Sequence, residues 1–320
     1  MRKDFLTNED TDSSPAREDV LLSWHGIGAR VPDSWNIVAF SGNITQGYLR
    51  ADGPDEESIE LRWKKTRKQP DLDLVAEDFL KQVRKVSRKQ KTNYEGDLEK
   101  KPRGPREKPD DVRFEWRSDR RAIGRLIWCR DCRRTLIAQV SAPLGYPLEP
   151  VAENVLESIR DHGGKGFEDW GVYGMQFSVP VSVKLSRHRL MSGFFSMNFR
   201  SRTQRVIIER WGLADTLLDD GGLLAWHEKE YLTELKGFRG EVVAVELGDH
   251  EALETTGYEA GLRRIIALVK AFLIPGRAER YASLVWHCHQ TNRIIGIRAY
   301  GIQPAELVRA VAGTVRCHNR

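Results

Sequence analysis

The chain has 320 residues, of which 40% are hydrophobic and 30% charged, with a formal net charge of +5. This length predicts two domains of about 100 to 200 residues, and the apolar share excludes a chain that is disordered throughout. No run approaches the roughly 18 to 20 apolar residues of a membrane-spanning helix, and residues 1–20 form a polar tail unlike a signal peptide. Four cysteines are too few for a disulfide scaffold in this length, so we expect a cytoplasmic protein.

The first unit opens with short β-prone segments separated by turn residues. Apolar and polar side chains alternate over residues 59–63, as in a strand with one buried face. From 71 to 89 the apolar period changes to that of an amphipathic helix. The cations Lys81, Arg84 and Arg88 lie away from its apolar stripe, where the helix dipole favours positive charge near the C-terminus. We therefore predict an antiparallel meander followed by a helix.

Positive charge is concentrated in residues 62–134, which hold 24 Lys and Arg against 13 Asp and Glu. Within this segment, 95–111 is rich in proline and charge and predicts a basic insertion outside the core. A nucleic-acid or partner surface there would use Lys81, Arg84, Arg88, Lys100, Lys101, Arg103, Arg106 and Trp116. The simpler interpretation is that the cations solvate a helix and a loop, and that Trp116 belongs to a half-buried strand.

The second half repeats markers of the first in the same order. The pairs include Val31-Pro32 with Val179-Pro180, Trp24 with Trp170, Trp63 with Trp211, Trp128 with Trp286, and Pro150 with Pro304. Such self-similarity predicts duplication of one fold. We place the units at 21–163 and 164–320, because the glycines at this junction suit the end of the first closing helix. The apolar run 262–274 fits either a strand or a helix.

The sequence pattern of each unit predicts several antiparallel strands, a helix, a hairpin and a closing helix. The fold class is therefore α+β, with two tandem antiparallel-sheet sandwiches flanked by helices. The Gly-containing Val-Pro strand, meander, central helix, hairpin and closing helix together resemble the PsbP-like fold, which includes DcrB-like bacterial proteins and a eukaryotic Ran-binding import factor. The likeness covers roughly 21–160 and 167–318. It implies a non-enzymatic role in binding or assembly and carries over no catalytic residue.

Cysteine and histidine positions raise the question of a metal site. Cys129 and Cys132 form a C-x2-C pair, the spacing of half a zinc site. The nearest supplements are Cys288 and His289, at the corresponding hairpin of the other unit, and Cys317-His318 after the final helix. We take Cys129, Cys132, Cys288 and His289 as the metal candidates. A closed zinc site needs four ligands, and equivalence between repeats does not bring two hairpins together. We therefore expect no stoichiometric metal and no cofactor.

Two other histidines carry weaker signals. His250, in the turn Asp249-His250-Glu251, could join an acid–base or metal cluster, but a solvated turn explains the same residues. His227 lies on the apolar face of a predicted helix, where a packed histidine is the simpler interpretation.

Nucleotide-binding and hydrolase motifs are missing from the chain. It has no G-x-G-x-x-G fingerprint, no phosphate-binding P-loop and no G-x-S-x-G nucleophile elbow. We assign no catalytic residue, and enzymatic activity stays open. The leading expectation is a non-catalytic binding or assembly protein whose partner is another protein. The alternatives are nucleic-acid binding through 62–134 and an unrecognised hydrolase or metal enzyme.

Overall fold

A computed structural model describes residues 19–99, 108–164, 166–191, 193–218, 221–231, 238–259 and 280–318. The strands of the first half are β1 (Asp19–Trp24), β2 (Ile27–Pro32), β3 (Asn36–Asn43), β4 (Gln46–Asp52), β5 (Ser58–Lys65), β6 (Glu95–Leu98), β7 (Asp111–Arg117), β8 (Arg120–Cys129) and β9 (Arg134–Pro143). Those of the second half are β10 (Phe167–Val172), β11 (Met175–Pro180), β12 (Lys184–Leu190), β13 (Phe194–Arg200), β14 (Gln204–Gly212), β15 (Phe238–Leu247), β16 (His250–Glu259), β17 (Arg280–Cys288) and β18 (Arg293–Gly301). The helices are α1 (Leu72–Gln90), α2 (Leu148–Glu157), α3 (Ala214–Leu217), α4 (Gly222–Trp226) and α5 (Pro304–Ala312), with a π-helical turn at His227–Tyr231 and a 3₁₀ turn at His289–Thr291.

Each half contributes one large antiparallel sheet, and the two sheets have the same topology. Over the described residues the first runs β3-β4-β5-β9-β8-β7-β6, and the second runs β12-β13-β14-β18-β17-β16-β15. The strands correspond one to one in chain order, from β3 with β12 to β9 with β18. The predicted α+β class and the duplication are thereby confirmed.

A third, four-stranded sheet joins the two halves. Our prediction of two separate sandwiches did not include this sheet. It has the order β11-β10-β1-β2, so each half contributes one hairpin. Each hairpin turns through two positive-φ residues, His25-Gly26 and Tyr173-Gly174, as two-residue hairpin loops favour. At the centre Ser23 of β1 pairs with Gly171 of β10, its own equivalent in the repeat. A Cβ on Gly171 would lie 2.0 Å from the Leu21 carbonyl oxygen, so only glycine fits this crossing.

One continuous core lies between the shared sheet and the two large sheets. It includes Trp24 and Trp170, whose rings meet edge to face at 5.0 Å, and it receives residues of the closing helices α2 and α5. Two smaller clusters lie on the other faces of the large sheets, one beneath α1 around Phe79 and Phe114, the other beneath α4 around Trp226. The predicted helix at 71–89 is confirmed as α1, with the Asp71 carboxylate accepting from the first-turn amides.

The tryptophans that marked the repeat do not occupy equivalent positions. Trp24 ends β1, whereas Trp170 lies two residues before the end of β10, and Val172 takes the equivalent place. Trp63 faces the shared core, whereas Trp211 is half-buried and packs beneath α4. In the other pair, Trp286 faces the core and Trp128 packs beneath α1. These pairings are therefore wrong. A slip of one residue puts Trp63 and Trp211, and likewise Trp128 and Trp286, on opposite faces of their sheets. The slip between Trp24 and Trp170 is two residues, so both stay in the core.

The predicted basic insertion begins with regular structure. Glu95–Leu98 forms the edge strand β6, which pairs with β7 through Gly96 and Trp116. Proline and charge farther along the insertion hid this short edge strand from the sequence pattern, so the start of the insertion at residue 95 is corrected. Residues 100–107 of the insertion, and the ambiguous run 262–274, lie outside the described residues.

Candidate metal centre

Four metal-ligating side chains converge at one end of the second large sheet. They are His250, Cys288, Cys317 and His318, and their ligand atoms all lie within 4.8 Å of one another. Cys317 Sγ is 3.3 Å from His250 Nε2 and 3.4 Å from His318 Nδ1, and Cys288 Sγ is 3.3 Å from the same His318 nitrogen. Tetrahedral zinc with ordinary bond lengths holds sulfur and nitrogen about 3.5 Å apart. The spacing therefore suits one tetrahedral ion.

Three separate segments supply these four ligands. Cys288 ends β17, immediately before the loop that leads into β18. His250 begins β16, after a two-residue turn in which Gly248 has φ +63°. Cys317 and His318 follow α5, on a tail that the backbone pairing of Arg316 with Gln176 holds against β11. Strand pairing thus brings together residues that are 67 positions apart in sequence.

Burial shapes the chemistry of the two thiols. Cys288 is fully buried and Cys317 is 6% exposed. Burial, followed by the nearness of Cys288, raises the pKa of the Cys317 thiol to about 12. A divalent cation would reverse this preference, because coordination deprotonates a thiol outright. Two thiolates and two imidazoles form a ligand set typical of structural zinc.

Asp249 lies behind the ring of His318 and beside the ligand nitrogen of His250. Its carboxylate oxygens lie 3.3 Å from His318 Nε2 and 3.4 Å from His250 Nε2. An N–H at His318 Nε2 can donate to this carboxylate, which leaves Nδ1 free to face the sulfur atoms. Such carboxylate–histidine pairs fix the ring orientation at metal sites and raise the basicity of the ligand.

A cleft of about 950 Å³ runs beside the cluster, between the halves of the molecule. Its walls carry charges of both signs, among them Arg30, Arg160 and Asp169. His250 and His318 also line it, although their side chains are only 9% and 8% exposed. The cluster is therefore close to solvent but largely shielded from it.

A smaller group lies at the corresponding end of the first large sheet. Cys129, Cys132 and His162 place their ligand atoms within 4.8 Å of one another. The two thiols are half-buried and His162 is exposed. Burial, followed by the charge of the neighbouring Asp161, raises the pKa of the Cys132 thiol to about 12. Asp161 is itself held by Arg134, with 2.9 Å between its Oδ1 and the arginine Nε.

The sequence named part of each group. Of the predicted residues, Cys129 and Cys132 belong to the group of the first sheet and Cys288 to the group of the second. The exposed His289 lies outside both groups, and its ring centroid is 4.0 Å from that of His287. The two hairpins do not share a site, because each finds partners within its own half. The ligands absent from the four metal candidates are His162, His250, Cys317 and His318. A signal for two of them was present, since Arg-Asp-His at 160–162 and Arg-Cys-His at 316–318 follow the two closing helices.

The predicted partner surface is only partly described. Lys81, Arg84 and Arg88 are exposed on α1, and Lys81 Nζ lies 3.0 Å from Asp78. The remaining cations, Lys100, Lys101, Arg103 and Arg106, lie outside the described residues. Trp116 is half-buried in β7 and donates to Gln139 Oε1 at 3.0 Å, in agreement with the strand interpretation.

Three arginines of the basic segment are paired with acidic residues of α2. Arg113, Arg121 and Arg125 form ion pairs with carboxylates of that helix. The glutamates involved are Glu149, Glu153 and Glu157. Since α2 lies outside 62–134, the local count of +11 overstates the positive charge that a polyanion would meet.

His227 is a packed histidine, as the sequence indicated. Its ring is fully buried, and Nε2 lies 3.2 Å from the Thr255 hydroxyl. Burial lowers its pKa to about 4, so the ring is neutral at physiological pH.

Within the described ranges, no helix is long and apolar enough to span a bilayer. No known protein family and no curated protein matches the sequence. A crystal structure from Bacteroides thetaiotaomicron VPI-5482 aligns with 46% of this chain, at 10% identity and a TM-score of 0.27, and the chain spans 46% of that structure. The apo structure of immunity protein TplEi of T6SS from Pseudomonas aeruginosa aligns with 88% of this chain and 97% of its own, at 10% identity and a TM-score of 0.29. Likenesses of this strength carry no argument about function.

Proposed function

We propose that the chain is a zinc-binding protein whose second unit is closed by a structural Cys2His2 site. The observation that carries this proposal is the convergence of His250, Cys288, Cys317 and His318 at distances that suit tetrahedral zinc. It replaces our expectation of no metal and no cofactor, which counted only ligands on the two hairpins.

A bound ion would link the segment that follows α5 to the ends of strands β16 and β17. His250 and His318 come from segments that no covalent cross-link joins, since the cysteines are free. Zinc binding at such a site stabilises the folded state, because the unfolded chain does not present the four ligands together. The ion would therefore hold the second unit closed.

A closed zinc site favours binding or assembly over catalysis. Four protein ligands leave no coordination position for a substrate, whereas catalytic zinc keeps one open. We therefore propose that the zinc-closed scaffold serves a protein partner, with a PsbP-like arrangement of its units. A cytoplasmic location is part of this proposal, and the four free thiols support it. Nucleic-acid binding is the weaker alternative, because α2 pairs with several of the arginines.

Elemental analysis of the full chain tests the zinc site. Protein purified in reductant and dialysed against a mild chelator should retain one zinc per chain. Cys317→Ser and His250→Ala should each lose that ion. The matched control is His289→Ala, which removes an exposed histidine beside Cys288 and should leave the zinc content unchanged. Zinc-free wild-type protein that is fully folded by circular dichroism would overturn the proposal.

A further inference from the structure

The group Cys129, Cys132 and His162 lies in positions equivalent to those of the Cys2His2 group. Cys129 and Cys288 each end a strand and precede a four-residue loop whose last residue has positive φ, Arg133 or Asn292. The loops therefore match residue for residue. Two copies of one fold thus place a thiol at the same point of the same hairpin.

The tails after the closing helices match in the same way. Arg160 forms a backbone bridge with Gly28 of β2, and Arg316 forms the equivalent bridge with Gln176 of β11. His162 and His318 each follow the bridged arginine by two residues. Both imidazoles therefore approach their thiols from equivalent tails.

The two sites differ in their remaining ligands. In the second unit the short β15–β16 turn supplies His250, and Cys317 sits between the bridged arginine and the histidine. In the first unit the position equivalent to Cys317 is occupied by Asp161, whose carboxylate forms an ion pair with Arg134. Cys132, from the hairpin loop, is the third side chain of the group. Three protein ligands at a half-exposed position leave one coordination position open to solvent.

We propose that Cys129, Cys132 and His162 bind a second divalent ion of the zinc class, with an exchangeable fourth position. This inference goes beyond the zinc site of the second unit and stands on different residues. Exposure of His162 and the lower ligand count make this ion the more weakly held of the two. The open position accepts water or one small donor such as imidazole.

Cobalt substitution in the full chain tests the proposal. Zinc-loaded protein is dialysed against a mild chelator and titrated with Co²⁺ in a non-thiol reductant. We expect one equivalent of Co²⁺ to give thiolate-to-cobalt absorption and tetrahedral d–d bands, and added imidazole to shift those bands. The double variant Cys129→Ser/Cys132→Ser should lose the absorption, and His162→Ala should weaken cobalt binding at least tenfold. The loop variant Arg130→Ala, which changes an exposed neighbour, should behave as wild type.

Each outcome decides between the alternatives. Absence of cobalt–thiolate absorption in the wild type, or its persistence in the double cysteine variant, would overturn the second site. Bands that imidazole does not shift would overturn the open position. Zinc retained after dialysis is measured separately by elemental analysis, so a failure at this site leaves the Cys2His2 site standing, and the reverse also holds.

Discussion

The two ends of the duplicated sheets show how one topology can give two different ligand sets. Both place a cysteine at the end of a hairpin strand and a histidine after the closing helix. In the second unit a tight turn at Gly248-Asp249 adds His250, and the ligand atoms are largely shielded from solvent. In the first unit the β6–β7 connection includes the basic insertion, and Cys132 supplies a ligand from the neighbouring loop. Fold duplication thus preserves the position of a site, whereas local loops decide how closed it is.

The two units should differ most in how much stability they lose when their metal ligands are removed, and the loss should be larger at the Cys2His2 site. A ligand present at a thousand times its dissociation constant stabilises the native state by about 4 kcal/mol. We expect the double variant Cys288→Ser/Cys317→Ser to lose that much or more, as measured by urea unfolding. The equivalent change Cys129→Ser/Cys132→Ser should cost less than about 1 kcal/mol, because an exchangeable ion contributes little after dialysis. Equal losses would show that the two sites are equally closed.

Replacing Trp63 or Trp211 by alanine should lower the free energy of unfolding by amounts that differ by about 2 kcal/mol. Trp63 is 3% exposed and faces the shared core, so Trp63→Ala should cost about 3 to 5 kcal/mol. Trp211 is half-buried against Trp226 and Tyr231, so Trp211→Ala should cost about half as much. Chemical denaturation measures both, with Trp→Phe at each position as the milder control. A larger loss at Trp211 would contradict the assignment of faces.

The Asp249 carboxylate, which lies behind the ring of His318, should tune zinc affinity. Asp249→Asn removes the charge beside His250 and His318 while keeping the shape of the side chain. Loss of such a partner lowers metal affinity by about 10- to 100-fold, or about 1.4 to 2.7 kcal/mol. Competition with a chromophoric chelator measures the change, and Glu251→Gln, an exposed neighbour, is the control. Equal affinities in both variants would place Asp249 outside the metal site.

The smallest effect should come from the exposed cations of α1. The side chains of Lys81 and Asp78 are 70% and 71% exposed, so their pairing contributes about 0.5 kcal/mol or less. Changing Lys81, Arg84 and Arg88 to Glu should leave the free energy of unfolding nearly unchanged. The affinity for nucleic acid, measured by fluorescence anisotropy, should not fall either. Arg125→Ala, which breaks pairs with Asp111 and Glu157, should destabilise the protein more. Micromolar nucleic-acid binding that the triple change abolishes would favour the alternative function.

The order of sequence markers was enough to predict the duplication, but not its residue register. Trp63 and Trp211 are similar in sequence but lie on opposite faces of their sheets, because strand pairing shifts the register by one residue. The shared sheet was also missed, since its key contact is the backbone of Gly171 against β1 rather than any side-chain pattern.

The metal candidates show the same limit. Cys129 and Cys132 could be named from spacing, because C-x2-C is a local signal, and Cys288 from its place in the repeat. That His250 and His318 meet these thiols could not be predicted, because strand pairing and the tail after α5 bring them together over a long stretch of chain. The repeated Arg-x-His after each closing helix is the local trace of this arrangement.

The shared sheet also determines what proteolysis at the junction would produce. Ser23 pairs with its own repeat equivalent, so the contact between β1 and β10 has the symmetry of a two-fold dimer interface. Cleavage near Gly163 and Gly164, followed by separation of the halves, would expose the inner edge of each hairpin, at β1 and at β10. Exposed strand edges are templates for pairing with another chain. The separated halves would therefore tend to recombine with each other, because the crossing needs Gly171 of β10 opposite Ser23 of β1.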